Sequence, residues 1–290
     1  MLLQTLVTGL AIGGIYALMA VGYSLVFSVL NFSNFAHGTV IMLASYMGYY
    51  ILASFHQPLA VAILGAVVGA AGLAVLNESI AYSSLRARRA PSLYFMISAM
   101  GTSIFLENMV YVTIGSHFYA YPEIFHRQTI TLLASSVGIL DLFALGFSAA
   151  AITVLHYFLT RSKLGTAIRA ASYDMTVASI NGVNINRLVK LVFVLAGSLA
   201  GLSGIFMGLK YIVYPTMGWI TNKAYIAAVI GGLGSLPGAV IGGLILGLTE
   251  TLVSVYVSSI IRDVFSFSLL VVLLLVLPTG LLGKSLEEKV

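Results

Sequence analysis

Long, nearly uncharged apolar runs recur along this chain, and they decide the solvent in which it folds. They occupy residues 6–30, 35–55, 58–82, 92–114, 138–160, 188–214, 224–257 and 265–282. A run of ~18 or more such residues is long enough to cross a bilayer as a helix. Charged residues make up 8% of the chain, about a third of the roughly 25% a water-soluble domain carries. With a mean hydropathy of +1.04, the sequence cannot cover a water-facing surface. That excludes both a soluble enzyme and a disordered chain. An outer-membrane barrel would show short alternating segments instead, so the expected fold is all-α: a polytopic transmembrane helical bundle.

The stretch 224–257 is too long for one span, since a crossing takes about 20 residues. Its centre reads Gly-Gly-Leu-Gly-Ser-Leu-Pro-Gly from Gly231 to Gly238, and Gly and Pro together break helices. The stretch is therefore one span preceded by a re-entrant half-helix, or two short spans, which gives eight or nine spans in all. Arg86, Arg88 and Arg89 mark one cytoplasmic loop, and Arg161, Lys163, Arg169, Arg187 and Lys190 mark a second, longer one. The loop between Ile114 and Gly138, with Glu123, Arg127, His117 and His126, fits the outer side. An outside N-terminus and an inside C-terminus, the latter favoured by Lys284 and Lys289, agree with nine crossings.

The chain reads as one transmembrane domain, 1–290, with no soluble domain. Its largest extramembrane piece is 160–187. The first residues, Met1 to Thr8, carry no positive charge, so they read as a retained helix rather than a cleaved signal, which needs a basic start. The net charge of +5 sits mostly in short loops; it sets topology and does not point to nucleic acid. Cysteine is absent, which removes disulfides, thiolate metal sites and a cysteine nucleophile. Gly283-Lys284-Ser285 resembles the end of a phosphate-binding Walker loop, but Pro278 stands where that motif needs its first Gly. No metal-ligand spacing and no nucleophile–base constellation can be assembled. The chain is expected not to be an enzyme and to hold no cofactor of its own.

Two irregularities lie inside the apolar runs. Gly197, Gly201, Gly204 and Gly208 fall at spacings of four, three and four; Gly234, Gly238 and Gly242 repeat at four, as do Gly243 and Gly247. Such faces let helices approach closely, either in ordinary bundle packing or in sliding against a partner. The segment Asn31-Phe32-Ser33-Asn34-Phe35-Ala36-His37-Gly38 interrupts about fifty apolar residues. It is either a plain loop between spans or a broken helix whose polar groups face a water-filled path.

Ionisable groups within a span are costly, about 2.5–3.5 kcal/mol at mid-bilayer, and face the bundle interior by default. Glu107 and Glu250 are such groups, with a hydrogen-bonded structural carboxyl and a pore or proton site as the two readings. Glu78, beside Asn77, falls nearer a cytoplasmic end, which an interfacial position explains.

In the cytoplasmic segment 160–187, Ala170, Asp174, Ala178 and Gly182 recur every four residues, which places them on one helical face. Arg169 sits beside that face, and Gly165 suits the cap of the preceding turn. A helix with a small-residue face, lying under a bundle, suits docking into a groove on a soluble partner or packing on the protein's own cytoplasmic ends.

Together these pieces resemble one family, the LivH-type permeases of branched-chain amino acid ABC importers. Gly9, Gly13, Tyr16, Ala17 and Leu18, leading to Asn34–Gly38, are similar to the family's opening. Gly165, Arg169, Ala170, Asp174, Ala178 and Gly182 are similar to its cytoplasmic loop, and the stretches AAVIGGLGSLPGAVIGGLILGLTE and LVLPTGLLG to its C-terminal half. Thr166 departs from the Arg or Lys often found there, and Asn181 from an apolar residue; both bear on the loop's contacts rather than its role.

The resemblance implies a permease subunit that imports leucine, isoleucine or valine through the bacterial inner membrane. It implies a homologous second permease, two cytoplasmic ABC ATPases that use the ATP, and a periplasmic or extracellular substrate-binding protein. Gly165 to Gly182 would be the ATPase-coupling segment, while Asn31, Asn34, His37 and Glu107 are the expected substrate path. Related permeases carry urea or short amides. A stand-alone secondary transporter, proton-coupled through Glu107 or Glu250, is the alternative of a different class.

Overall fold

The computed structural model describes residues 2–122, 129–132 and 135–283. Glu123, His126, Arg127, Lys284 and Lys289, which entered the topology argument, lie outside the described residues.

In chain order the helices begin with α1 (Leu2–Leu30) and α2 (His37–Tyr49), the latter continued by a π turn at Tyr50–Ser54. Then α3 (Leu59–Asn77) runs through a π turn at Glu78–Tyr82 into α4 (Ser83–Ala87), and α5 (Ser92–Thr113) follows. Short strands β1 (Tyr119–Ala120), β2 (Thr129–Leu132) and β3 (Ser135–Gly138) precede α6 (Ile139–Arg161), α7 (Lys163–Tyr173), α8 (Met175–Ile180) and α9 (Ile185–Lys210). The chain closes with β4 (Ile212–Val213), a 3₁₀ turn at Pro215–Ile220, α10 (Thr221–Gly231), α11 (Leu236–Tyr256) and α12 (Arg262–Val276).

Every expected apolar run is built mainly of helix, and the result is a helical membrane bundle. Among the described residues six helices are long and apolar enough to cross a bilayer: α1, the continuous Leu59–Ala87, α5, α6, α9 and α11. That is fewer than the eight or nine of the sequence reading, because helices in three of the runs are short. The run at 35–55 loses its first residues to a non-helical break, α10 stops at Gly231, and α12 has 15 residues.

The run 224–257 is broken where Gly and Pro predicted. Gly232 and Gly234 take φ of +105° and +83°, a conformation open to glycine and costly for other residues. Ser235 then caps α11 by accepting the Gly238 N–H, with Pro237 in the first turn where its missing N–H costs nothing.

The chain divides into two compact units, one of Met1–Ser24, Phe125–Ala149 and Asn222–Val290, the other of Leu25–Ile124 and Ala150–Thr221. In the first, α11 lies against α1. A Cβ on Gly243 would stand 2.5 Å from the Ala17 Cα, and Thr8 donates to Asp141 at 2.8 Å. The break after α10 is held by backbone bonds from Leu281 and Leu282 to the carbonyls of Ile230 and Gly231, each 2.9 Å. Those two carbonyls close a helix end that would otherwise lack donors.

In the second unit α9 packs along α3 and α2. Cβ atoms on Gly197 and Gly201 would come within 2.8 Å of the Ala70 carbonyl and 2.6 Å of the Val67 Cα on α3. The glycine face of α9 is thus filled by the chain's own helices, which is ordinary close packing rather than a free sliding surface. β1 pairs antiparallel with β4, Tyr119 opposite Val213. The buried Tyr121 hydroxyl donates to the Ser45 carbonyl at 2.7 Å; burial pushes this phenol above its ordinary value, so it stays a donor.

Candidate functional site

The break between α1 and α2 is a buried polar segment, not a solvent loop. Asn31 turns the chain at φ +52° and is exposed, a conformation Asn tolerates better than most residues. Beyond it Phe32, Ser33, Asn34 and Ala36 are buried, and His37 opens α2 at 3% exposure. Thr39 donates to the Ala36 carbonyl at 2.8 Å, and the His37 N–H reaches the Asn34 carbonyl at 3.1 Å. The Asn34 side-chain oxygen accepts from the Tyr82 hydroxyl at 2.8 Å, and the Asn77 amide donates to the same hydroxyl at 3.3 Å. Asn34 and His37 are therefore brought together in one buried segment, with Asn31 at its exposed edge. Glu107 is half-buried on α5 and takes no part in the hydrogen bonds around Asn34.

Glu78 is held inside the protein at the end of the apolar run that precedes the Arg86–Arg89 loop. It is fully buried and its carboxylate meets Arg86 at 2.7 Å. A charge taken that far from water persists only with a close partner. The π turn explains why sequence spacing did not pair them, since it adds a residue between Glu78 and the helix that carries Arg86.

In the first unit Glu250 is 2% exposed on α11. It pairs with Lys223 of α10, accepts from Ser266 of α12, and accepts from Tyr16 of α1 at 2.9 Å. Lys223 also meets Asp263 at 2.8 Å. Four helices converge on one carboxylate, which favours the structural carboxyl over the proton site. Lys223 was not singled out from the sequence because its partner lies 27 positions away on another helix; the one usable signal was a lone cation at the edge of an apolar run.

The segment 160–187 is two helices, and here the single-face reading fails. Asp174 is extended, φ −159° and ψ 112°, and both ends α7 and caps α8. Its carboxylate accepts the N–H groups of Thr176 and Val177 at 2.7 and 3.0 Å, the cap geometry that competes with helix continuation. Ala170 and Asp174 are exposed and Ala178 is buried, so the fourfold repeat does not make one surface.

Gly165 is not the cap either. Ser162 caps α7 by accepting the Gly165 N–H at 2.8 Å, and Gly165 is buried against the carbonyls of Phe158 and Leu159, where a Cβ has no room. Arg169 donates back to the Leu159 carbonyl at the end of α6. Gly182, at φ +84°, ends α8. The Gly182 N–H bonds to Ser179 and the Val183 N–H to Ala178, a Schellman closure that asks for glycine. The outer surface of this helix pair presents Leu164, Tyr173, Val177 and Ile180, between 52% and 80% exposed.

A family described as the permease component of branched-chain amino acid transport systems matches residues 5–277. The high-affinity branched-chain amino acid transport system permease protein LivH of Salmonella typhimurium is 38% identical, covering 99% of this chain and 97% of its own. BraD of Pseudomonas aeruginosa, a permease protein of the same description, is 34% identical over 99% and 98%. The solved structure of PsaBC from Streptococcus pneumoniae in complex with Fab superposes with a TM-score of 0.52 at 15% identity. That superposition covers 94% of this chain and 90% of that one, a likeness of fold alone. The chain belongs to the family of permease components of branched-chain amino acid transport systems.

Proposed function

We propose that this chain is the membrane-spanning permease subunit of an ATP-driven importer that carries branched-chain amino acids across the bacterial inner membrane. One observation carries the reading: similarity to LivH and BraD runs over 99% of the chain. The chain acts as one permease domain, 1–290, and crosses the membrane eight times if α10 is a re-entrant half-helix before α11, or nine times if α10 and α11 are two short spans. It holds no cofactor. ATP is used by two cytoplasmic ABC ATPases, substrate arrives on a binding protein, and a homologous second permease completes the path.

The helix pair α7–α8 is the surface the ATPases receive. Its exposed Leu164, Tyr173, Val177 and Ile180 lie between Arg161 and Arg187, outside the apolar runs, and suit an amphipathic helix-in-groove contact. Gly165, Arg169, Ala170, Asp174, Ala178 and Gly182 set the shape of that pair rather than its contact face. Substrate passes along a route that includes Asn31, Asn34, His37 and Glu107, where polar backbone and amide groups meet the zwitterion and apolar walls meet the side chain.

The test is uptake of radiolabelled leucine by proteoliposomes containing this chain with its copurifying subunits. Uptake that requires both ATP and a binding protein is the expected result. Uptake by the lone chain under a proton gradient, indifferent to ATP, overturns the reading, and ATP-driven uptake of urea in place of leucine overturns the substrate.

A further inference from the structure

The second unit contains a series of polar contacts, joined along the backbone of α9 and of the π turn at Glu78–Tyr82, that the permease reading does not use. Asn184 caps α9 by accepting the Arg187 N–H at 3.1 Å, where the cytoplasmic segment ends. Two residues on, the Asn186 side-chain oxygen accepts from Arg86 at 3.2 Å, and the same guanidinium nitrogen meets Glu78 at 2.7 Å. Glu78 opens the π turn that Tyr82 closes, and the Tyr82 hydroxyl donates to Asn34 in the broken segment at 2.8 Å. We propose that Arg86, Glu78 and Tyr82 are positioning residues that transmit displacement between the cytoplasmic segment and the break at Asn34. This rests on the permease reading, which makes those two places the ATPase contact and part of the substrate path.

The π turn is the element with two arrangements. It closes a bond from the Ser83 N–H to the Glu78 carbonyl, five residues back, and so holds one residue more than an α turn. Such turns occur singly inside α-helices, frequently where function needs them. Collapse to an α turn rotates whatever follows by about 100° relative to what precedes, given 3.6 residues per turn. That rotation separates the Arg86 fork from Glu78, or the Tyr82 hydroxyl from Asn34.

The present arrangement leaves room for another. The Asn77 side-chain oxygen and one Arg86 guanidinium nitrogen are buried with no hydrogen-bond partner among the described residues, and such groups are rare enough to need a reason. A second arrangement that satisfies them at the cost of the Tyr82–Asn34 bond gives a two-state element of the kind that coupling requires. The Tyr82 ring stays lodged between Phe32 of the break, at 5.1 Å, and Phe193 of α9, at 5.6 Å.

The experiment measures leucine taken up per ATP hydrolysed in the assembled complex, together with binding-protein affinity. Tyr82→Phe keeps the ring contacts and deletes only the hydroxyl; Asn186→Ala acts at the exposed other end. Each is expected to lower the uptake-to-hydrolysis ratio at least about five-fold, the low end of ordinary coupling between sites, with binding-protein affinity unchanged. Combined, they should lower it no further than the worse single variant. If Tyr82→Phe does not assemble, Asn186→Ala alone carries the test, with the same loss expected. Ratios equal to the parent, or effects that multiply in the double variant, overturn the proposal. A parent complex that shows no ATP-driven leucine uptake counts against the permease reading itself.

Discussion

Lys223 and Glu250 show how one pair sets local stability in this chain. Replacing Lys223 with Met leaves a carboxylate that is 2% exposed facing Ser266 and Tyr16 without its cation. Breaking such a pair from one side costs about 3–5 kcal/mol, whereas removing both charges is often close to neutral. Thermal melts of the detergent-purified protein should therefore place Lys223→Met well below the parent and Lys223→Met with Glu250→Gln near it. A double variant no more stable than the single would mean that Lys223 contributes through Asp263 instead. Gly201 is the second sensitive position. A Cβ there meets the Val67 backbone at 2.6 Å, and backbone cannot swing aside. Gly201→Val should cost about 1–3 kcal/mol by overpacking, seen as a lower melting temperature; an unchanged melt would show that α9 and α3 are free to part. Glu250 was readable in the sequence as a carboxyl out of place, but its three partners were not, because they come from three other helices.

The elements outside the apolar runs carry the sharper functional test. Asp174 was legible as a notable acid in a small-residue repeat, and the repeat suggested one helix. The structure ends that helix at Asp174, because its short carboxylate reaches the N–H groups of Thr176 and Val177 and replaces the bonds of a continued helix. Asp174→Ala removes a cap worth about 0.5–2 kcal/mol, and Arg169→Ala removes the tie from α7 to the end of α6. Both should reduce leucine uptake relative to ATP hydrolysis while leaving binding-protein affinity unchanged. Asp174→Asn keeps a capping oxygen and should behave nearly as the parent. Normal transport by Arg169→Ala and Asp174→Ala would remove this helix pair from coupling, and failure of Asp174→Asn alone would point to the charge rather than the cap.

Across the whole chain the absence of cysteine allows a direct test of orientation. Single cysteines at Arg89 and Asn181 should react with a membrane-impermeant maleimide only from the cytoplasmic side, and one at Phe118 only from the outside. All three positions are exposed. Labelling of Arg89→Cys and Phe118→Cys from the same side would overturn the topology read from the Arg and Lys loops. Cysteines placed after α11 and after α12, at Ser258 and Thr279, should label from opposite sides if α12 crosses, which decides whether so short a helix counts as a span.

Composition and patterning determined the solvent, the helical class, the position of nearly every helix and the break at the Gly-Pro cluster. Each follows from local rules: hydrocarbon forces backbone bonds to close within a segment, and Gly and Pro interrupt that closure where they stand. The motifs also determined the family, because similarity needs only order along the chain. The tertiary structure decided what no local rule contains. It buried Glu78 against Arg86, gathered Tyr16, Lys223 and Ser266 on Glu250, and aimed Tyr82 at Asn34 across 48 positions. A buried charge or amide in a medium without water must find its partner on whichever helix packs beside it, and packing is set by the fold as a whole.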